Sequence, residues 1–365
     1  MSHKPVHKGP MAKVRLVRYL ILLVVAIVFI VFLLPRFASL GNYVDVVKKM
    51  SVGFVILAFL CQVCAYLGNG FLLQALVGLS NAHISIRRGA LITLAANSVG
   101  MVTGGWVSIA AVTYFLVSRK KEVNITEGAV LSGALPTVLN NLLLVILSLG
   151  GLAVLLANHQ GLSAWQIIVY GFVFILAGLG ITLLILSMRY QDKVERIVLW
   201  FADRIMQALH RTCDHAKVRA VTCNVFMSLE MLRRRGWIKP VIGSCIYILF
   251  DMLTIFFFFL AAGFPVRLSV MLPGYALALL LGKGLFFIPG GIGVVESSMA
   301  AIYTNLGVTA SVSIAVIFGY RFFSFWIPTL LGFPLMTILS RTSDKSHVTR
   351  DNTADALAKE SSSNR

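Results

Sequence analysis

Apolar runs long enough to cross a bilayer recur along the chain near 16–34, 51–78, 128–156, 165–188, 240–262 and 310–338. A helix rises about 1.5 Å per residue and a hydrocarbon core is about 30 Å thick, so each run predicts one full transmembrane helix. Two further apolar regions, 89–118 and 269–305, are interrupted by glycine, the first at Gly104-Gly105 and the second at Pro289-Gly290-Gly291-Ile292-Gly293. In the first region the arms 89–103 and 106–118 would be about 22 and 20 Å long as helices, short of a full crossing. Both regions therefore predict paired short helices, either re-entrant hairpins or pairs of short spans. The fold class that follows is all-α: a polytopic integral membrane protein with about six full spans plus two hairpins.

Composition agrees with this pattern, because 58% of the residues are hydrophobic and 13% charged, which excludes a soluble globule. Lys plus Arg number 32 against 14 Asp plus Glu, a formal charge of +18. Such an excess also suits nucleic-acid binding, but these basic residues gather at the ends of the apolar runs, where the positive-inside rule places them in the cytoplasm against anionic lipid. No nucleic-acid partner is expected. A basic leader (1–15), the pairs and triplets Arg87-Arg88 and Arg119-Lys120-Lys121, a loop at 189–239 and a polar tail at 339–365 that reads as disordered all fall inside. Arg36, Lys48, Lys49 and Arg267 remain outside, with Lys283 and Arg321 at membrane depth.

That assignment puts both termini in the cytoplasm and makes the two hairpins enter from opposite faces. The membrane domain, 16–338, then contains a first repeat (51–156) and an inverted second repeat (240–338), each a span, a hairpin and a span. Inverted repeats with broken helices are a transporter architecture whose binding site lies near the midplane, where the breaks meet. In the loop between the repeats, segments such as 194–209 alternate apolar and charged positions at helical spacing. An amphipathic helix on anionic headgroups and a helical pair docked under the bundle both fit.

Candidate chemistry concentrates at the second hairpin. Pro289 and the glycines Gly290, Gly291 and Gly293 end one helix and permit a tight turn, and a new helix starting at Val294 would aim free N–H groups at that turn, a ready anion site. The alternative is that the glycines only allow close packing. Four ionisable residues lie inside apolar segments, Asp251, Lys283, Glu296 and Arg321. Isolated charges at that depth are costly, so they should face the bundle interior and find partners. Glu296 would balance Lys283 or Arg321, either as a structural pair or as part of a phosphate clamp built on Arg321, with Tyr320 beside it. In the first hairpin, Asn97, Gly104 and Gly105 could contact a headgroup or cap broken helix ends. The five cysteines lie in apolar segments or in the basic loop, so no disulfide framework is expected, and no spacing of histidines, cysteines or acids predicts a metal or any other cofactor.

The string PGGIGVVE at 289–296, followed by YRFFSFWIP at 320–328, resembles the signature of the lysylphosphatidylglycerol synthase transmembrane-region family, described as flippase-like integral membrane proteins. The resemblance covers roughly 10–340. It implies inverted hairpins and the movement of anionic phospholipids or polyprenyl-phosphate-linked glycans across the cytoplasmic membrane, with Glu296 and Arg321 at the family's acidic and basic positions. Two departures are visible. Bifunctional members carry a soluble aminoacyltransferase domain after the membrane region, where this sequence has the polar tail, so synthesis of lysyl-lipid is not expected. The family's first hairpin usually has an arginine after its glycine turn, where this chain has Trp106-Val107-Ser108. The expected function is thus a non-enzymatic lipid carrier of the inner membrane. The alternatives are a membrane enzyme acting on a polyprenyl phosphate and an accessory partner of a glycosyltransferase; a homo-oligomer is also compatible.

Overall fold

The computed structural model describes residues 41–103, 106–118, 129–157, isolated positions between 167 and 189, and 190–208, 214–284 and 289–340. The basic leader, the span at 16–34, the turn at 104–105, most of the span at 165–188 and the tail lie outside the described residues. Two compact units are distinguished, 1–49 and 50–365. In the first, one short helix is described, α1 (Gly41–Lys49), whose last turn carries Lys48 and Lys49, where cations suit the helix dipole.

Among its described residues the second unit is built of helices and the turns between them, with no strand. Helix α2 (Val52–Gly78) is followed by the pair α3 (Ile86–Thr103) and α4 (Trp106–Ser118), then by α5 (Leu135–Ala157), which is entered through a π turn at Ala129–Ala134. Next come α6 (Gln191–Ala208) and α7 (His215–Arg235), then α8 (Ile238–Ala261). The second broken pair is α9 (Leu268–Gly284), a 3₁₀ turn at Pro289–Gly291 and α10 (Val294–Asn305). Helix α11 (Ala310–Arg321) passes through a π turn at Phe322–Trp326 into one apolar helix ending at Ser340. Pro328 comes two residues after Trp326, and its missing N–H leaves a local break in the hydrogen-bond ladder.

Four helices, Val52–Gly78, Val130–Ala157, Ile238–Ala261 and Ala310–Ser340, are long and apolar enough to cross a membrane, while Ser108–Ser118 and Leu268–Gly284 are apolar but shorter. The protein is an all-α polytopic membrane protein. Helix α2 shows how such a chain sorts its residues. Up to Gly70 its buried face holds small and polar side chains, including Gln62, Ala65, Gly68, Asn69 and Gly70, whereas Ile56, Phe59, Leu60 and Val63 are exposed; in its last two turns Leu72, Leu73, Leu76 and Val77 are buried. With lipid as solvent the exposed Leu and Phe side chains cost nothing, and the close approaches are made by residues that let backbones meet or that need polar partners.

Helices α2 and α8 pack along each other through two notches. A Cβ at Gly68 would stand 2.7 Å from the backbone N of Tyr247, and one at Gly243 would stand 2.7 Å from Cα of Leu72. Helix α3 crosses α2 as closely, with Gly89 meeting Gly70 backbone to backbone. The last span of each half closes on the broken pair of the other. Gly151 of α5 lies against Pro273 of α9, while Gly332, in the C-terminal part of the last helix, lies against Ser98 of α3, whose Oγ donates to the Pro328 carbonyl at 2.8 Å. The exchange runs both ways.

The loop 189–239 forms a helical pair. Arg219 of α7 meets Glu195 of α6 at 2.8 Å and His215 meets Asp203 at 2.9 Å, and α7 places Val225, Leu229 and Leu232 on a cluster formed by Leu72, Leu76, Leu79, Val130, Leu131 and Leu135. Of the two arrangements the amphipathic pattern allows, the docked pair is the one formed.

Candidate functional site

Where the halves meet, a cavity of about 200 Å³ opens in the middle of the bundle. Its wall combines Thr93 and Asn97 of α3, Asn140 and Asn141 of α5, Asp251 of α8, Tyr275 and Lys283 of α9, Gly290 and Gly291 of the turn, and Tyr320 and Arg321 of α11. An apolar bundle has thus gathered its amides, hydroxyls and charges around one space, where irregular backbone and polar groups are tolerated.

The turn is built by its glycines. Gly290, Gly291 and Gly293 all adopt positive φ, 61°, 62° and 86°, a region costly for side chains with a Cβ. Helix α10 then begins, and Glu296 in its first turn accepts the Gly293 N–H on Oε2 at 2.6 Å. The N-terminal anion position is therefore filled by the chain's own carboxylate. Its other oxygen, Oε1, accepts from Arg321 Nε at 2.6 Å in an ion pair whose side chains are 11% and 6% exposed. Arg321 also donates from Nη2 to the Gly290 carbonyl at 3.0 Å and lies over the Phe325 ring, 4.4 Å from its centre. Guanidinium, glycine turn and helix start form one unit.

Lys283 does not share this acid. Its Nζ donates to Asn141 Oδ1 at 2.9 Å, linking the second broken pair to the last span of the first half. Asp251, 4% exposed, accepts on Oδ2 from the hydroxyls of Tyr275 at 2.7 Å and Tyr320 at 2.8 Å, and on Oδ1 from Gln62 Nε2 at 3.2 Å. Ser244 Oγ donates to Asn140 Oδ1 at 2.6 Å, and Asn140 Nδ2 donates to Asn69 Oδ1 at 3.3 Å, so α2, α5 and α8 are tied by a buried amide network.

Of the residues expected from sequence, Asn97, Lys283, Gly290, Gly291, Tyr320 and Arg321 line the cavity. Glu296 and Gly293 stand behind the lining and anchor Arg321 and the turn, and Pro289 belongs to the 3₁₀ turn. Gly104 and Gly105 lie outside the described residues. Sequence reasoning flagged Asp251 but gave it no role, and missed Gln62, Asn69, Asn140, Asn141 and Tyr275. The usable signal was the presence of amides inside spans 51–78 and 128–156. Among the described residues no group of three or more His, Cys, Asp or Glu side chains could hold a metal ion.

Comparison with known proteins gives full-length likeness. A UPF0104 membrane protein of Methanocaldococcus jannaschii is 22% identical over 346 residues, 92% of this chain and 99% of that protein. Shorter matches are 37% identity over 86 residues with a UPF0104 membrane protein of Pyrococcus horikoshii, covering 22% of this chain and 24% of the relative, and 28% over 148 residues with one from Methanothermobacter thermautotrophicus, covering 39% and 43%. The sequence profile described as the lysylphosphatidylglycerol synthase TM region matches residues 19–332, and the chain belongs to that family.

Proposed function

We propose that the protein binds the phosphate-bearing headgroup of an anionic phospholipid or polyprenyl-phosphate-linked lipid in the central cavity and carries it, chemically unchanged, across the cytoplasmic membrane, with both termini in the cytoplasm. The observation that carries this reading is the cavity itself: two cations, Lys283 and Arg321, and a glycine turn from one half face Asn97 and Asn141 from the other across about 200 Å³ at mid-bundle. A headgroup phosphate entering there meets the Lys283 ammonium, which can donate three hydrogen bonds and gives one to Asn141. It then competes with Glu296 for the Arg321 guanidinium, whose fork suits phosphate oxygens. Glu296 keeps Arg321 neutralised while the cavity is empty and takes it back on release. The acyl chains stay in lipid. Attraction of anionic lipid to the cytoplasmic face follows from the basic loop and from Arg87 and Arg88 at the head of α3.

The test is vesicles reconstituted with the protein and trace phosphatidylglycerol labelled on one acyl chain, with the label in the outer leaflet quenched chemically and the lipid checked by mass afterwards. Wild type should expose the inner-leaflet label faster than protein-free vesicles without altering its mass, and Arg321→Ala should not. Equal rates for wild type and protein-free vesicles would overturn the carrier reading, and an altered mass would replace it with an enzymatic one.

A further inference from the structure

Of the four ionisable residues in apolar segments, Arg321 and Glu296 neutralise each other. Asp251 does not have that protection. Among the described residues no cation lies within ion-pairing distance of it, and the three groups that hydrogen-bond it, Tyr275, Tyr320 and Gln62, are neutral. It nevertheless lines the cavity into which the anion is proposed to enter. The charged and titratable groups that face it are Tyr66 from α2, Tyr247 from its own helix, Tyr275 and Lys283 from α9 and Tyr320 from α11, with Arg321 next in the chain to Tyr320.

A second observation concerns the other side of the carboxyl. Gln62 is buried and donates its Nε2 to Asp251 Oδ1, yet its own Oε1 is a buried acceptor with no hydrogen-bond partner. Leaving such an acceptor unmade is costly. A proton on Asp251 Oδ1, with a half-turn of the Gln62 amide, would give that acceptor its donor, while Oδ2 keeps both tyrosines. The cluster thus has a hydrogen-bonding arrangement for each protonation state.

We infer that Asp251 is a proton-binding site coupled to occupation of the cavity, so that the carrier takes up one proton with each anionic headgroup. This rests on the carrier reading. The proton comes from water on the loading side, binds Asp251 Oδ1 as the anion enters, and returns to water when the anion leaves. The physical link is twofold. An anion and an ionised Asp251 sharing one small cavity repel, so each anion bound favours the protonated carboxyl, and by reciprocity the protonated carboxyl favours the anion. The chain provides a mechanical route as well, since Tyr320 holds Asp251 and its neighbour Arg321 holds Glu296 and the turn. Buried acids on substrate pathways are the usual proton relays of transporters.

Lys283 would bias binding in the same direction if it lost its proton, so the test is run in a Lys283→Arg background, where the cation does not titrate. The full chain in detergent micelles is titrated with dioleoyl phosphatidylglycerol, whose phosphodiester stays ionised, in weakly buffered salt with an indicator dye. The parent should take up protons on binding, and its affinity should fall by up to about tenfold per pH unit as Asp251 ionises. Asp251→Asn should bind without proton uptake and with an affinity independent of pH. Tyr275→Phe removes one donor to the ionised carboxyl, so the midpoint of the pH dependence should move upward, and this variant decides the matter if Asp251→Asn does not fold. Lipid binding with the same proton uptake in parent and Asp251→Asn, a pH-independent parent, or an unmoved midpoint in Tyr275→Phe would overturn the coupling and leave the carrier reading standing. Failure of the wild-type chain to bind the lipid at any pH would overturn both.

Discussion

Arg321 is held from three sides, by the Glu296 carboxylate, the Gly290 carbonyl and the face of Phe325. Truncating it to alanine leaves a buried carboxylate without a cation, which costs about 3–5 kcal/mol, so Arg321→Ala should unfold at markedly lower temperature. Glu296→Gln keeps an acceptor for the Gly293 N–H and for Arg321 but removes the charge, and should cost less. Replacing both with apolar residues of similar volume should recover most of the stability in a thermal unfolding series, and lipid movement in that stable double variant separates the two roles. A double variant that carries lipid at the wild-type rate shows the pair to be structural only. Gly290 gives a second residue-scale expectation: its φ is 61° and a Cβ there would run into the Phe325 ring. Gly290→Ala should lower stability by about 1–3 kcal/mol and displace the ring from under the guanidinium. The sequence made Arg321 and Glu296 legible because a charge in an apolar run is conspicuous. It left open whether Glu296 served Lys283 or Arg321, since all three sit on different helices and only the three-dimensional crossing decides. Asp251 was conspicuous for the same reason, but its partners Gln62, Tyr275 and Tyr320 come from three other elements and no spacing along the chain announces them.

Glycine sets the distances between helices. At Gly68 and Gly243 the backbones of α2 and α8 meet with no room for a Cβ, and a larger side chain must separate them. Gly243→Val should cost about 1–3 kcal/mol by overpacking, with exposed-face changes such as Leu60→Val serving as a near-neutral control in the same melt. The long elements were readable because length and apolarity suffice in lipid: the runs at 51–78, 128–156, 240–262 and 310–338 correspond to helices Val52–Gly78, Val130–Ala157, Ile238–Ala261 and Ala310–Ser340. Which face of each is buried was not readable, because outward and inward faces are both apolar and periodicity fades. The start of α3 at Ile86 rather than residue 89 is another limit of the pattern, since Arg87 and Arg88 extend the helix past the apolar run. In the helical pair, Arg233 and Arg234 hydrogen-bond Glu230 and hold its carboxyl below the usual carboxylate range. A lowered acid stabilises above its unfolded pKa and loses that contribution as pH falls through the folded one, so the protection of amides in the last turn of α7, after correction for the slower intrinsic exchange in acid, should fall on acidification.

At the scale of the whole molecule, two ends can be told apart by which residues meet. At one end the Ser51 N–H donates to the Ala261 carbonyl at 3.0 Å, and Phe264 and Val308 pack into the cluster that contains Phe259 and Tyr303. At the other, Val77, Ile84 and Val117 pack with Leu335, Met336 and Leu339, and the start of the Val130–Ala157 helix meets α7. The positive-inside reading of the charges expects the first set outside and the second inside. An error of one span in the parity would have mixed the two sets, because every later segment would have changed sides. That expectation carries a topology prediction. In a background with the native cysteines removed, a single cysteine at exposed Arg233, in the helical pair, should resist an impermeant thiol reagent applied to intact cells and react after the membrane is opened. One at exposed Asn305, at the end of α10, should react from outside. Labelling of position 233 from outside, or protection of position 305, would invert or break the assignment. It would also move the basic loop away from the anionic leaflet that is proposed to supply the cavity.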